Sequence, residues 1–95
     1  MEGKIITLHP RGKQGVNIDR KKYDTMRQAI LDSLRAQGEV TFTELTEDVR
    51  RNLEGSFEGS INWYVTTVKL DLEARGEIER IPGRTPQRLR LASQS

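Results

Sequence analysis

Between Ser60 and Gly76 the apolar residues Ile61, Val65, Val68 and Leu72 fall at spacings of four, three and four. That period places all four on one stripe of an α-helix, and a stripe of four aliphatics has to be covered by other parts of the chain. Ser60 is suited to cap the start of this helix, and Gly76 to end it where left-handed backbone is needed. The rest of the sequence has to supply the cover.

Two more segments carry the same period. Tyr23, Met26, Ile30 and Leu34, with Ala29 beside them, form one face of a helix of about four turns that Asp19 can cap and Gly38 can stop. Leu45, Val49 and Leu53 form the stripe of a shorter helix. Thr41-Phe42-Thr43-Glu44 offers it a capping box, in which the Thr41 hydroxyl accepts from the amide of Glu44 and the Glu44 side chain reaches back. Glu44, Glu47 and Asp48 precede Arg50 and Arg51, an order that suits the helix dipole. A two-glycine loop, Glu54 to Gly59, leads to the third helix, and Phe57 within it is expected to plug the core.

Extended segments bracket the helices. Lys4-Ile5-Ile6-Thr7-Leu8 and Gly15-Val16-Asn17-Ile18 flank a turn cluster at Pro10 to Gly15, which predicts an N-terminal hairpin. Glu39-Val40 is a short extended piece. Glu77 to Ile81 and Gln87 to Leu91 flank a tip holding Pro82-Gly83, which predicts a C-terminal hairpin with Leu89 and Leu91 inward and Arg88 and Arg90 outward. Residues 92–95 are expected to fray. The expected class is α+β, one domain over residues 1–95.

The helix-to-ribbon junction, Leu72-Glu73-Ala74-Arg75-Gly76-Glu77-Ile78-Glu79-Arg80, followed by the Pro-Gly tip and Arg88-Leu89-Arg90-Leu91, resembles the winged helix-turn-helix family. The resemblance spans residues 19–91, with the hairpin of residues 1–18 as an addition. The whole chain also resembles short bacterial winged-helix proteins of unestablished function. The resemblance implies a third helix in the major groove and a wing along the backbone or minor groove. Its contact residues would then be Asn62, Thr66, Thr67 and Lys69 on the helix, and Arg80, Arg84, Arg88 and Arg90 on the wing, where arginine suits phosphates and narrow grooves.

On its own chemistry the third helix is poorly equipped to read bases. It offers one lysine, one asparagine and threonines, and Asp71 and Glu73 are expected to repel phosphates. Its face opposite the core stripe holds Trp63, Thr67, Leu70 and Ala74. Trp63 and Leu70 have three readings: core under the N-terminal hairpin, the centre of a protein or self-association interface, or a direct contact to bases or sugar.

Charge is unevenly spread. Residues 1–22 balance to +4, residues 23–74 to −5 and residues 75–95 to +3, for a total of +2. Arg11, Lys13, Lys21 and Lys22 could add a second basic edge to the wing, and about six phosphate contacts would give a log–log salt slope of roughly −5. The chain has no cysteine and one histidine, His9, at a turn before Pro10. Thiolate chemistry is therefore excluded, a metal site has no partner for His9, and no constellation for catalysis is present. No cofactor is expected. No apolar run approaches the roughly 20 residues of a membrane span, and no signal-peptide pattern is seen, so the expected location is cytoplasmic.

The expectation is thus a non-enzymatic, DNA-binding or transcription-associated winged-helix protein. The alternative is a protein-interaction or dimerisation module using the outer face of the third helix.

Overall fold

In the computed structural model, residues 3–13, 15–83 and 85–92 are described. Among them the order is β1 (Lys4–Ile6), β2 (Asn17–Asp19), α1 (Arg20–Gln37), β3 (Glu39–Thr41), α2 (Phe42–Leu53), α3 (Ile61–Ala74), β4 (Ile78–Ile81) and β5 (Arg88–Leu91). The class is α+β: three helices with two small antiparallel sheets, one of order β1-β2 and one of order β3-β5-β4. No described helix is long and apolar enough to cross a membrane.

The expected helix signals are all used. The Asp19 carboxylate accepts from Lys22 N at 3.1 Å, and Ser60 Oγ accepts from Trp63 N at 3.1 Å. The Thr41–Glu44 box is closed in both directions, at 3.1 and 2.9 Å. Each such cap contributes about 1 kcal/mol by satisfying amides that the helix leaves open. Gly38 ends α1 at φ 84°, a conformation that a Cβ would strain.

The stripes meet in one core. Met26, Ile30, Leu34, Leu45, Val49, Val65, Val68 and Leu72 are at most 1 % exposed. Val40 of β3, Ile78 of β4 and Leu89 of β5 close the core from the sheet side. Phe57 is half-buried and packs against this cluster, as its place in the loop predicted.

Register fixes what the C-terminal sheet presents. Arg88 and Arg90 of β5 stand opposite Thr41 and Glu39 of β3, and opposite Ile81 and Glu79 of β4. Paired residues share a face, so these six form the outer side of the sheet. Arg80 stands opposite Leu89 and therefore belongs to the core side, at the sheet edge. The wing arginines Arg80, Arg88 and Arg90 are thus divided between two faces of the sheet.

The N-terminal hairpin is shorter in regular strand than its sequence suggested, but its pairing continues beyond the strands. Thr7 N donates to Val16 O at 2.9 Å, and Val16 N donates to Thr7 Oγ1 at 3.0 Å. Gly15 sits so close to this rung that a Cβ there would lie 1.7 Å from Thr7 O. A side chain at that position would break the approach of the two arms. Ile5 and Ile18 pair across the hairpin on the side that joins the core.

Ala92, expected to fray, donates from its amide to Glu77 O at 3.0 Å, because the β4–β5 ladder runs one residue further than the strands. Residues 93–95 of the expected tail lie outside the described residues.

Candidate functional site

The polar flank of α3 faces α2 across a shallow groove of about 390 Å³, lined by Phe42, Thr43, Thr46, Glu47, Arg50, Asn62 and Thr66. The residues expected to meet bases are engaged within the chain. Asn62 Oδ1 accepts from the Arg50 guanidinium. Thr66 Oγ1 donates to Asn62 O at 3.0 Å, the usual back-bond of a helical threonine. Lys69 lies with its Nζ 2.8 Å from Glu73 Oε2 and 5.4 Å from the centre of the Phe42 ring, and its side chain is only 11 % exposed. The Lys69 contact is an ion pair without hydrogen-bond alignment, since Glu73 Oε2 has no aligned donor. Arg80 approaches the same carboxylate, Nε to Oε1 at 2.8 Å.

Glu73 and Asp71 were expected to repel phosphates. The structure overturns this for both. Glu73, 8 % exposed at its side chain, binds Lys69 and Arg80 together. Asp71 is fully buried and faces inward. Its Oδ1 accepts from Leu8 N at 2.8 Å, and its Oδ2 accepts from the Tyr23 hydroxyl and from Arg75 Nε at 2.8 Å. One carboxylate thus ties the N-terminal hairpin, α1 and the end of α3. Burial, followed by the hydrogen bond to Asp71, raises the Tyr23 pKa well above its ordinary value of 10.0. The same carboxylate, chiefly through its hydrogen bond, raises that of Arg75. Sequence reasoning missed this cluster because its partners lie 63 and 48 residues away. The available signal was an acid one position before Leu72 of the core stripe.

The outer face of α3 is divided. Thr67 and Leu70 line a small cavity of about 110 Å³ with Thr7, Leu8, His9, Gly15 and Val16, so the hairpin lies over the C-terminal half of this face. His9 Nδ1 accepts from Arg11 N at 3.1 Å, which makes it a turn residue. Trp63, one turn before Thr67, is left 44 % exposed. Its ring stands edge-on to Tyr64 at 4.9 Å and 79°, and Tyr64 stands edge-on to Phe57 at 5.1 Å and 76°. Lys22 Nζ is 5.7 Å from the centre of the Tyr64 ring. Of the two interface candidates, Leu70 is half-buried against the hairpin and Trp63 is open.

On the outer face of the C-terminal sheet Arg90 pairs with Glu79 and also stands opposite Glu39. Arg88 is half-buried between Thr41 and Ile81. Arg84 lies outside the described residues. Lys4, Arg11, Lys13 and Lys21 are exposed and have no carboxylate at ion-pair distance among the described residues. These four cations all lie on the N-terminal hairpin or the first turn of α1. The α2 side carries exposed Glu44, Glu47 and Glu54. Among the described residues no three His, Cys, Asp or Glu side chains are grouped to hold a metal ion.

No curated protein and no solved structure matches the chain. A family profile covers residues 4–89, from β1 into β5, and takes in both hairpins and all three helices. The chain belongs to a family of unknown function, DUF6958.

Proposed function

We propose that the chain is a winged-helix domain that binds nucleic acid and performs no catalysis. The fold reading is supported by the run α1-β3-α2-α3-β4-β5 and by the sheet order β3-β5-β4, in which the strand after α1 pairs with the last strand. Fold alone does not decide function, so the functional reading rests on charge.

The observation that carries it is the placement of the exposed cations that have no carboxylate partner among the described residues. Lys4, Arg11, Lys13 and Lys21 all lie on the N-terminal hairpin or the first turn of α1. Lys69 on the polar flank of α3 and Arg90 on the outer sheet are instead paired with glutamates, and acidic α2 borders that flank. The proposed contact is therefore through the N-terminal edge to phosphates, with little base reading. Fluorescence anisotropy with labelled oligonucleotides at about 50 mM salt tests it, with binding expected at micromolar protein and a log–log salt slope of roughly −3 to −4. Lys13→Ala and Lys21→Ala should each lower that slope by about one. Absence of binding under those conditions rejects the proposal.

A second reading is favoured by one specific observation. Leu8, Val16 and Trp63 are 45 %, 38 % and 44 % exposed around the hairpin–α3 seam, an apolar surface suited to a protein partner or a second copy. Sedimentation over a range of concentrations, compared with that of Trp63→Ala, tests it. A monomer at all concentrations argues against self-association.

A further inference from the structure

Trp63 is the single tryptophan of the chain, and it is held in place without being covered. Its ring is braced edge-on by Tyr64, which is braced in turn by Phe57, itself packed on the core. Edge-on contacts of this kind fix a ring while leaving a face available. Lys22 lies over the Tyr64 ring, with Lys21 beside it in sequence. One turn along α3 from Trp63, the loop that bears Arg11 and Lys13 packs by its His9 and Gly15 ends over Thr67 and Leu70.

The same hairpin obstructs the fit of α3 into a duplex groove. It occupies the C-terminal half of the helix's outer face, and of the groups that could read base edges Asn62 Oδ1, Thr66 Oγ1 and Lys69 Nζ are already engaged. What remains is a braced aromatic face on a helix bordered by Lys22 and by the loop that bears Arg11 and Lys13, with few side chains left to read base edges. That combination suits unpaired bases, which stack on an aromatic ring whatever their identity while lysines and arginines follow the phosphates.

Resting on the nucleic-acid reading above, we infer that Trp63 is a stacking platform for an unpaired base and that the preferred ligand is a single strand crossing from Lys22 to the Arg11–Lys13 loop. The strand's charge complements the N-terminal edge, and its flexibility lets it pass the hairpin that a rigid duplex would meet.

Intrinsic fluorescence of the intact protein, excited where only tryptophan absorbs, reads this contact directly. Three ligands of about ten nucleotides are compared: a thymidine strand, the same backbone without bases, and a blunt duplex. The thymidine strand is expected to quench Trp63 and to bind more tightly than the other two, and a uridine strand then tells whether DNA or RNA is preferred. Trp63→Ala should weaken thymidine-strand binding about tenfold or more, while Trp63→Phe retains most of it. The quench in the unaltered protein serves where Trp63→Ala fails to fold. Equal binding of the thymidine and abasic strands, or duplex binding without quenching, overturns the inference and leaves the broader reading standing. No binding of any ligand at micromolar protein overturns both. A change in Trp63 emission with protein concentration alone assigns the face to a second copy and also overturns the inference.

Discussion

The two hairpins are built alike and fastened differently. The C-terminal one is held by aliphatics: Leu89 and Ile78 are each 2 % exposed, and β5 is paired on both sides, by β3 and β4. The N-terminal one has two short strands, keeps Ile6 65 % exposed, and is drawn to α3 by the Leu8 amide on buried Asp71. Their charges differ in the same sense. Arg80 and Arg90 of the first are matched to glutamates, whereas Lys4, Arg11 and Lys13 of the second have no such partner among the described residues. The C-terminal hairpin sends several aliphatics into the core and matches Arg80 and Arg90 to glutamates, whereas the N-terminal one is held by Ile18, Ile5 and the Leu8 tie to Asp71 and leaves its cations without a carboxylate partner among the described residues.

The largest expected effect is on the apolar fastening. Leu89→Ala should lower global stability by about 3 kcal/mol, through lost burial and a residual cavity at the centre of the three-stranded sheet. Denaturant unfolding should show a single transition moved to lower midpoint. A separate early transition confined to the C-terminal hairpin would break the comparison.

The polar fastening should fail more locally. Asp71→Asn keeps the size but weakens the carboxylate's hold on Leu8, Tyr23 and Arg75, for a cost of about 2 kcal/mol. Hydrogen exchange at the amides of Leu8 and Thr7 should speed up more than at Val65 in the core. Equal acceleration at all three sites would show that the hairpin and the core unfold as one unit.

Only the polar fastening titrates. The Tyr23 pKa is raised in the folded protein, first by burial and then by its hydrogen bond to Asp71. The folded state therefore holds its proton after an unfolded tyrosine has lost it. The contribution is complete below pH 10, the unfolded value, and declines as pH rises beyond it, by about 1.4 kcal/mol per unit. Tyr23→Phe should remove this part of the alkaline loss, read as the difference between the two proteins' stability curves. Identical slopes above pH 10 would detach Tyr23 from the anchoring.

How much of this was legible in the sequence follows from distance along the chain. Every stripe, cap and stop that assembled the helices depends on residues three or four apart, so Ile61, Val65, Val68 and Leu72 declared themselves, as did the Thr41–Glu44 box. Asp71 did not, because what converts it from a solvated acid into a buried tie is supplied by Leu8 and Tyr23, far away in sequence. The wing arginines fall between. Alternation at Arg88 and Arg90 gave their face, but Ile78-Glu79-Arg80-Ile81 has no clean alternation, and only pairing with Leu89 reveals that Arg80 lies on the other side. For the candidate site, residue types were visible in advance. Which of them are already engaged, and how the hairpin divides the outer face of α3, needed the assembled chain.

The smallest expected effect sharpens the contrast in charge most directly. Glu79→Gln removes the partner of Arg90 on an exposed strand, where an ion pair contributes no more than about 1 kcal/mol, so stability should hardly change. If internal neutralisation keeps the C-terminal hairpin out of nucleic-acid contact, freeing Arg90 should raise affinity for any oligonucleotide a fewfold at low salt and steepen the salt slope by up to about one. Glu39, still opposite Arg90, limits the gain, and Glu39→Gln added to Glu79→Gln should release the remainder. If affinity and slope stay fixed in both variants, Arg90 lies outside the contact whatever its charge. The N-terminal edge alone would then meet the ligand, and the pairing of Arg90 would serve only to order the sheet surface.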